Sequence, residues 1–415
     1  MSLFNSDFSK FIGSIFILVG TTVGAGMLAL PIVSAAVGFT FTSIILTIVF
    51  IFMLITALLT LEVNLAFAPY RNHFSTMAVA TLGRPGQIIA WVSCLLLLNT
   101  LIAAYLVGNG SLLIAGVFQL TAVHLPDWFG AAIVAIIFGS IVCYSTHLVS
   151  WCERGLLSVK GILLLITFVV LMPHVRWTQL ISHYDVGKYM WAAIPIFIVC
   201  FGFHPTIPSI TNYIGKKPKK LKWIIIYSAL IPFIVYLLWL VVVLGIIPLL
   251  GKHGFINFAA KNNSVVYMLD EINFLLKSHW LSVVVNGFSD IAMSTAFLGV
   301  SLGLFDFLAD ALKRQNNFFG RLQTGLITFI PPLCFVVFYP KGFVYVLSYA
   351  AFFAIILVII MPAIMAYKLR KSKSLHSPFR VIGGKPLIFM VILFGLFAMI
   401  IELLFVLHLL PIFGK

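Results

Sequence analysis

Three ionisable residues, Lys160, His204 and Asp290, lie inside long apolar stretches of the 415-residue chain. Ionisable side chains are costly to bury in such surroundings, so each one is a candidate for binding a ligand or transferring a proton. All three side-chain types can gain and lose a proton, which is the chemistry that coupling to a proton gradient requires. Each also has a structural alternative: Lys160 can extend to a polar surface, His204 can brace irregular backbone, and Asp290 can hydrogen-bond a neighbouring helix.

The composition indicates which elements must hold these residues. The chain is 62% hydrophobic and only 9% charged, with a mean hydropathy of +1.15, which is far outside the range of soluble domains. This composition predicts an all-α polytopic membrane protein. The five cysteines are scattered without metal-ligand spacing or disulfide clustering, so neither a metal site nor a cofactor is predicted.

Eleven apolar stretches approach the roughly 20 residues that a helix needs to cross about 30 Å of hydrocarbon. They cover residues 9–36, 39–66, 87–110, 129–147, 155–173, 188–212, 223–250, 281–311, 322–339, 342–367 and 386–410. The sequence therefore predicts eleven transmembrane helices, called spans 1 to 11 below. Residues 264–277, between spans 7 and 8, are amphipathic at helical spacing but too short to cross. They predict a helix on the outer face, either as a lid or as interfacial packing.

The basic residues predict the orientation of the chain. With the N-terminus in the cytoplasm, 19 of the 26 lysines and arginines fall on the cytoplasmic side, including those of the cluster Lys216–Lys220. This asymmetry agrees with the positive-inside rule and predicts a C-terminus on the opposite side of the membrane. The cluster is interpreted as a contact with anionic lipid of the bilayer, and binding to nucleic acid is not predicted.

Two spans carry features that break helices at mid-depth. Span 1 contains the glycine-rich turn Gly20–Gly26, and span 6 contains Phe201–Ser209 with Gly202 and two prolines. Five spans separate the two breaks, so the second set of five helices runs through the membrane inverted relative to the first. Paired breaks of this kind are typical of the midplane site of a secondary transporter. The alternative is that the glycines are close contacts between helices.

The chemistry of such breaks suits an amino acid. In span 1, the backbone N–H groups around Thr22, Gly24, Ala25 and Gly26 begin a new helix, whose positive end would bind a carboxylate. The carbonyl groups near Gly20 and Thr21, and those of Phe201, Gly202 and Phe203, could accept from an ammonium group. The predicted ligand is therefore a molecule that carries both groups on one carbon atom.

Several segments resemble the bacterial aromatic amino acid permeases of the hydroxy and aromatic amino acid permease family. These segments are Thr22–Pro31, Phe201–His204, Phe297–Asp310, Gly320–Gly325 and Phe338–Phe343. The resemblance extends over essentially the whole chain and is greatest to members that transport tyrosine. It implies symport of an aromatic amino acid, expected to be L-tyrosine, with protons into the cell across the bacterial inner membrane. The outer side of the membrane, with the C-terminus, would then be periplasmic.

The resemblance also implies a LeuT-type fold, with helices 1 and 6 broken at mid-membrane. Residues 1–173 would form a first five-helix repeat, residues 187–367 an inverted second repeat, and residues 385–410 an extra helix. In proton-coupled relatives of the wider superfamily, a lysine on the fifth helix replaces a sodium ion between helices 1 and 8. Its neighbours here would be the backbone at Gly20 and Val23, together with Ala292 and Thr295. This relationship assigns proton coupling to Lys160, with Asp290 and His204 as further candidates.

Selectivity for an aromatic side chain is expected from spans 3, 6 and 8. Phe203 and Tyr105 are candidates for stacking on the substrate ring, while Asn99 or Thr295 could bind a tyrosine hydroxyl. A site built for a hydroxyl group rejects the analogue that lacks one.

The remaining acidic residues are expected to be structural. Glu62, Asp306 and Asp310 are predicted to form surface or gate ion pairs near Lys313 and Arg314, and Glu402 of span 11 lies outside the ten-helix core. A sodium-coupled or exchange transporter would share the fold. A channel is disfavoured because the spans carry no continuous polar pore, and an enzyme because no catalytic cluster is present. No obligatory protein partner is predicted.

Overall fold

A computed structural model describes residues 6–67, 74–123, 125–259, 261, 264–314, 317–338, 342–411 and 413. The regular structure in these ranges is helical. Ten helices are individually long and apolar enough to cross a membrane, and a bent pair near the N-terminus would make an eleventh crossing. The prediction of an all-α membrane protein with about eleven spans is confirmed at this level.

The helices are numbered here in chain order. They are α1 (Ser6–Thr22), α2 (Gly26–Ser34), α3 (Gly38–Leu65), α4 (Phe74–Thr121), α5 (Asp127–Tyr144), α6 (Thr146–Leu171), α7 (Val186–Tyr189), α8 (Ala193–Cys200), α9 (Ile207–Ile214), α10 (Pro218–Ile246), α11 (Ser264–Leu276), α12 (His279–Ala311), α13 (Phe318–Phe338), α14 (Phe343–Ala354), α15 (Met361–Lys371) and α16 (Gly384–Val406). A π-helix, Ile355–Ile360, joins α14 to α15. Short 3₁₀ segments cover Met172–His174, Trp177–Ile181, Met190–Ala192, His204–Thr206 and Phe255–Asn257.

Span 1 consists of two helices. α1 ends at Thr22, α2 begins at Gly26, and their axes differ in direction by 50°. After the turn, Met27 and Leu28 donate to carbonyl groups only three residues back, at 3.2 and 3.1 Å. Val23 still donates to Val19 O at 2.7 Å, so the regular four-residue pattern of helical hydrogen bonds is absent at Gly24 and Ala25, within the glycine-rich turn.

Span 6 is also interrupted, but without a comparable bend. α8 ends at Cys200, the backbone is irregular at Phe201–Phe203, and a 3₁₀ turn leads into α9. Pro205 and Pro208 lack the N–H groups that would continue an α-helix through this point. Gly202 is exposed between two buried phenylalanines. Irregular backbone at membrane depth is tolerated only where it is buried in protein or lines a water-filled cavity.

The helix of span 3 is much longer than the predicted stretch 87–110. α4 covers Phe74–Thr121 and changes direction at Gly83, which has a φ of 74°. This left-handed conformation favours glycine, and Pro85 follows it. The additional helical segment before Gly83 lies between spans 2 and 3. The sequence analysis did not predict it, because it lies outside the apolar stretch that hydropathy detects.

The segment between spans 7 and 8 contains α11. Its buried residues, Val265, Met268, Leu269, Ile272 and Leu276, recur at helical spacing and form one face. α11 packs against α2, α4, α12 and α14. The amphipathic segment of the sequence is thus helical over Ser264–Leu276 and lies against the ends of several spans.

The buried apolar side chains form two separate clusters. The larger one extends through most of the bundle. The smaller one draws only on α1, α3, α9, α10 and the turn between α8 and α9, hence on spans 1, 2, 6 and 7, and we call it the four-span cluster. Its members are Ile15, Leu18, Ala57, Leu61, Leu65, Phe203, Ile207, Ile210, Ile214, Leu221, Ile224, Ile225 and Ala229.

A buried ion pair joins span 2 to span 10. Arg370 donates from two nitrogens to the two carboxylate oxygens of Glu62, each at 2.7 Å, and the side chains are 8% and 2% exposed. Val381 N–H adds a third bond to the carboxylate at 2.8 Å. The expected pairing of Glu62 with Lys313 or Arg314 was therefore wrong. Only a planar guanidinium can form this two-pronged contact, and Arg370 is brought to Glu62 by the packing of α15 against α3.

Candidate functional site

Lys160 of α6 connects the first interrupted helix to α12. Its ammonium nitrogen lies 3.0 Å from the carbonyl oxygen of Gly20 and 3.2 Å from the hydroxyl oxygen of Thr295. The side chain is 3% exposed, so Lys160 does not extend to a polar surface. The structure brings the Gly20 carbonyl and the Thr295 hydroxyl, two of the neighbours that the resemblance implied, within hydrogen-bond distance of this lysine. The role of Lys160 in proton coupling stays a prediction.

The start of α2 presents unpaired backbone donors. Within the described part of the chain, the N–H groups of Gly24 and Ala25 have no backbone acceptor. These groups are the first donors of a helix, which have no intrahelical partners. Gly26 is partly accessible, while Gly24 and Ala25 are buried. The arrangement can bind an anionic group such as a carboxylate. The hydroxyl of Thr22, in contrast, bonds back to Leu18 O at 2.6 Å.

Two of the glycines in this turn are also required by packing. A side chain at Gly20 would collide with Leu157 of α6, and a Cβ at Gly26 would lie 2.9 Å from the Cys200 sulfur. Gly24 has more room, since its Cβ would lie 3.4 Å from Ala296. The alternative that glycines serve close helix contacts thus applies to Gly20 and Gly26. The contact at Gly26 brings the start of α2 against the end of α8.

The carbonyl ends of the two interrupted helices meet a residue that the sequence analysis did not select. The Tyr236 hydroxyl of α10 donates to Thr22 O at 2.7 Å and to Cys200 O at 2.8 Å. Lys160 already donates to Gly20 O. Some of the carbonyl groups expected to bind an ammonium group therefore have protein donors. Tyr236 carried no signal in the sequence because it is one tyrosine in an apolar helix without a break.

The aromatic and histidine side chains of span 6 are part of the packed core. Phe201 is fully buried against Tyr236, with ring centres 5.3 Å apart. Phe203 is 1% exposed within the four-span cluster. His204 is fully buried, and its Nε2 lies 2.8 Å from the Thr56 hydroxyl of α3. These contacts match the structural role considered for His204, and direct contacts with substrate stay predictions for all three.

Asp290 does not join this group. Its side chain is exposed on α12, and within the described part of the chain it makes no hydrogen bond or ion pair. The carboxylate that interacts electrostatically with Lys160 is that of Glu153, two turns earlier on the same helix. One Glu153 oxygen lies 3.0 Å from where a Cβ would stand at Gly299 of α12. The sequence signal that could have identified Glu153 is its position two turns before Lys160 on the same helix.

Span 3 contributes polar groups beside the site. Asn99 donates to Leu95 O at 2.8 Å within its own helix, and Tyr105 is buried 6.4 Å from the Phe343 ring. Asn109, which the sequence analysis did not select, accepts a hydrogen bond of 3.2 Å from Ser294 of α12. Span 3 is thus tied to span 8 near Thr295. The proposed contacts of Asn99 and Tyr105 with substrate stay predictions.

A direct match with known proteins decides the family of the chain. The sequence profile of the tryptophan/tyrosine permease family matches residues 8–402. This chain belongs to the tryptophan/tyrosine permease family. The family expected from the sequence motifs is confirmed, and the coarse function is transport across a membrane rather than catalysis.

Relatives in the tryptophan/tyrosine permease family cover almost the whole chain. A tryptophan-specific transport protein of Shigella flexneri is 32% identical over 407 residues, which are 97% of each chain. Tyrosine-specific transport system 1 of Haemophilus influenzae is 32% identical over 392 residues, 93% of this chain and 95% of the relative. The low affinity tryptophan permease of Escherichia coli K12 is 31% identical over 408 residues, 96% and 97% of the two chains. These near-equal identities do not separate tyrosine from tryptophan.

Replacing Gly26 with alanine is expected to lower uptake of labelled tryptophan and tyrosine about tenfold or more, because overpacking typically costs about 1–3 kcal/mol. The added Cβ would lie 2.9 Å from the Cys200 sulfur and push α2 away from α8. Cys200→Ala in the same chain removes that sulfur and should restore part of the uptake. Gly13→Ala is the matched control, since a Cβ there meets nothing within 4 Å. Equal losses in the Gly13 and Gly26 variants would contradict the packing argument.

Proposed function

We propose that this permease is a proton-coupled symporter that imports an aromatic amino acid, with L-tyrosine as the preferred substrate, across the bacterial inner membrane. The observation that carries the proposal is the buried Lys160 ammonium between Gly20 O and Thr295 Oγ1. A fixed cation at this point supplies the charge that a bound metal ion would otherwise provide. Release of its proton would remove that charge, so the contact between α1 and α12 can depend on protonation.

The amino acid backbone is proposed to bind between the two interrupted helices. The donors of Gly24, Ala25 and Gly26 would bind the carboxylate, and carbonyl groups at the ends of α1 and α8 would accept from the ammonium. The close approach of Gly26 to Cys200 supports this assignment, because a carboxylate and an ammonium on one carbon need adjacent donor and acceptor ends. Proton coupling is assigned to Lys160, with His204 and Asp290 as secondary candidates. The proton is the only coupling ion proposed.

The fold is proposed to be of the LeuT type, with repeats in residues 1–173 and 187–367 and the extra helix in 385–410. Helices 1 and 6 would be broken at mid-membrane, the N-terminus cytoplasmic and the C-terminus periplasmic. Alternating access would then rock spans 1, 2, 6 and 7 against the rest. The four-span cluster supports this motion, because it packs these spans to one another through their own apolar side chains.

Two alternatives differ from this proposal in the substrate or in the coupling ion. Tryptophan as the main substrate, or a broad aromatic range, is favoured by relatives named for tryptophan. A sodium-coupled or exchange mechanism is compatible with the same fold.

Uptake into proteoliposomes tests the proposal and its alternatives together. We expect labelled L-tyrosine to accumulate when the inside is alkaline, with no response to a sodium gradient at constant pH. Unlabelled tyrosine should compete better than tryptophan or phenylalanine. Sodium-dependent accumulation at constant pH would establish the sodium alternative, and stronger competition by tryptophan would reverse the assigned substrate. Protein-free liposomes and a protonophore serve as controls.

A further inference from the structure

A single side chain contacts both interrupted helices. Tyr236 is fully buried on α10, and its hydroxyl oxygen lies 2.7 Å from Thr22 O and 2.8 Å from Cys200 O. Thr22 is the last residue of α1, and Cys200 is the last residue of α8. The hydroxyl therefore meets the carbonyl ends of both half-helices at one point. The edge-to-face contact of the Tyr236 ring with Phe201, at 5.3 Å, holds the phenol in this orientation.

This point is short of hydrogen-bond donors. The last carbonyl groups of a helix have no partners within it, and each helix places partial negative charge at that end. A tyrosine hydroxyl carries one hydrogen, so Thr22 O and Cys200 O share it, while each carbonyl oxygen has two lone pairs. Among the side chains of the described residues, Tyr236 supplies the donor to both oxygens. The two acceptors thus converge on one hydroxyl hydrogen, at helix ends that carry partial negative charge.

We infer that Tyr236 is a positioning residue for the α-amino group of the substrate, an inference that rests on the proposed function. The hydroxyl holds Thr22 O and Cys200 O toward a common point from one side. The substrate ammonium, with three donors and a positive charge, donates to the same two oxygens from the other side. Tyr236 itself touches only the carbonyl groups, so it acts through them.

The neighbouring contacts fix where the rest of the amino acid would lie. A Cβ on Gly26 would lie 2.9 Å from the Cys200 sulfur, so the donor end of α2 adjoins the acceptor end of α8. A ligand held by both ends therefore places its carboxylate toward Gly24–Gly26 and its ammonium toward Tyr236. The side chain of the ligand takes no part in this contact. Loss of the Tyr236 hydroxyl should consequently affect every amino acid substrate by the same factor.

Tyr236→Phe tests the inference, because it removes one oxygen atom and keeps the ring. Three ligands are compared on the purified, monodisperse full-length protein: L-tyrosine, tyramine, which lacks the carboxylate, and 3-(4-hydroxyphenyl)propionate, which lacks the amino group. We expect the variant to bind L-tyrosine and tyramine at least about tenfold more weakly. Binding of the propionate should change less than about twofold. Tyr227→Phe is the matched control, since Tyr227 lies on the same helix with an exposed side chain.

Uptake kinetics give a second readout that does not depend on the amount of folded protein. In Tyr236→Phe the KM should rise by one common factor for tyrosine, tryptophan and phenylalanine, with a smaller change in maximal rate per folded protein. Equal weakening of all three binding ligands would mean that the hydroxyl only supports the fold, and would overturn the inference. Wild-type affinity in the variant would also overturn it. If the wild-type protein bound no aromatic amino acid, the proposed function itself would fail.

Discussion

Lys160→Met is expected to abolish accumulation of substrate driven by a proton gradient, lowering the initial rate about 100-fold or more. The substitution removes two hydrogen bonds from a charged donor, and each such bond contributes about 1.5–3 kcal/mol. Because about 1.36 kcal/mol corresponds to a tenfold change in rate, this loss gives the expected factor. Methionine retains an unbranched apolar side chain of similar length, so packing at this buried position is largely preserved. The measurement is uptake of labelled L-tyrosine into proteoliposomes at several internal and external pH values.

Measuring the exchange of substrate across the membrane separates a role of Lys160 in proton coupling from a role in folding. If Lys160 couples the proton, the methionine variant should still exchange internal for external substrate without a gradient. Thr295→Val removes one partner of the ammonium and should weaken coupling less than loss of the lysine itself. Lys219→Met, in the basic cluster, is the control for loss of a lysine. Gradient-driven accumulation by the Lys160 variant with an unchanged pH profile would refute the assignment.

Breaking the Glu62–Arg370 pair is expected to have the largest effect on stability. Removing one partner of a buried ion pair typically costs about 3–5 kcal/mol, because the other charge is left uncompensated. Glu62→Ala and Arg370→Ala should each lower the melting temperature of the detergent-solubilised protein by several degrees. Arg370→Lys should also be destabilised, since an ammonium group cannot form the two parallel bonds to Oε1 and Oε2.

The double variant Glu62→Met with Arg370→Met provides the critical comparison. If the single losses come from an unpaired charge, the double variant should melt above either alanine variant. Glu271→Gln is the control, because the Glu271–His253 contact is partly exposed and such pairs contribute about 0–1 kcal/mol. Additive losses at positions 62 and 370 would show that the two side chains stabilise the fold independently.

The sequence predicted the elements well because long apolar runs and helix breakers act locally. The spans, the turn at Val23–Ala25 and the irregular backbone at Phe201–Phe203 all follow from residues within a single segment. Lys160 could be selected because a lysine in an apolar helix is conspicuous. The resemblance, and not the spacing, supplied Gly20 and Thr295 as its neighbours.

Contacts between distant segments could not be predicted in the same way. Arg370 and Glu62 are 308 residues apart, and the sequence offered several other basic residues as partners. Tyr236 reaches Thr22 across 214 residues and looks like any aromatic residue of a lipid-embedded helix. Asp290 was selected by its depth alone, and depth does not specify which face of α12 it occupies. Glu153 was overlooked although it lies two turns before Lys160 on α6, and its approach to Gly299 of α12 could not be predicted from the sequence.

The π-helix at Ile355–Ile360 limits how the chain can change in length. A wider turn of this kind accommodates an additional residue within a helix, so every side chain after it is rotated relative to a continuous α-helix. Arg370 lies on that later portion, in α15. If the same residues formed a regular α-helix without the wide turn, Arg370 would be rotated by about 100° about the helix axis and its guanidinium would be carried away from Glu62. Insertions and deletions in span 10 are therefore constrained by an ion pair formed two to three turns further along the helix.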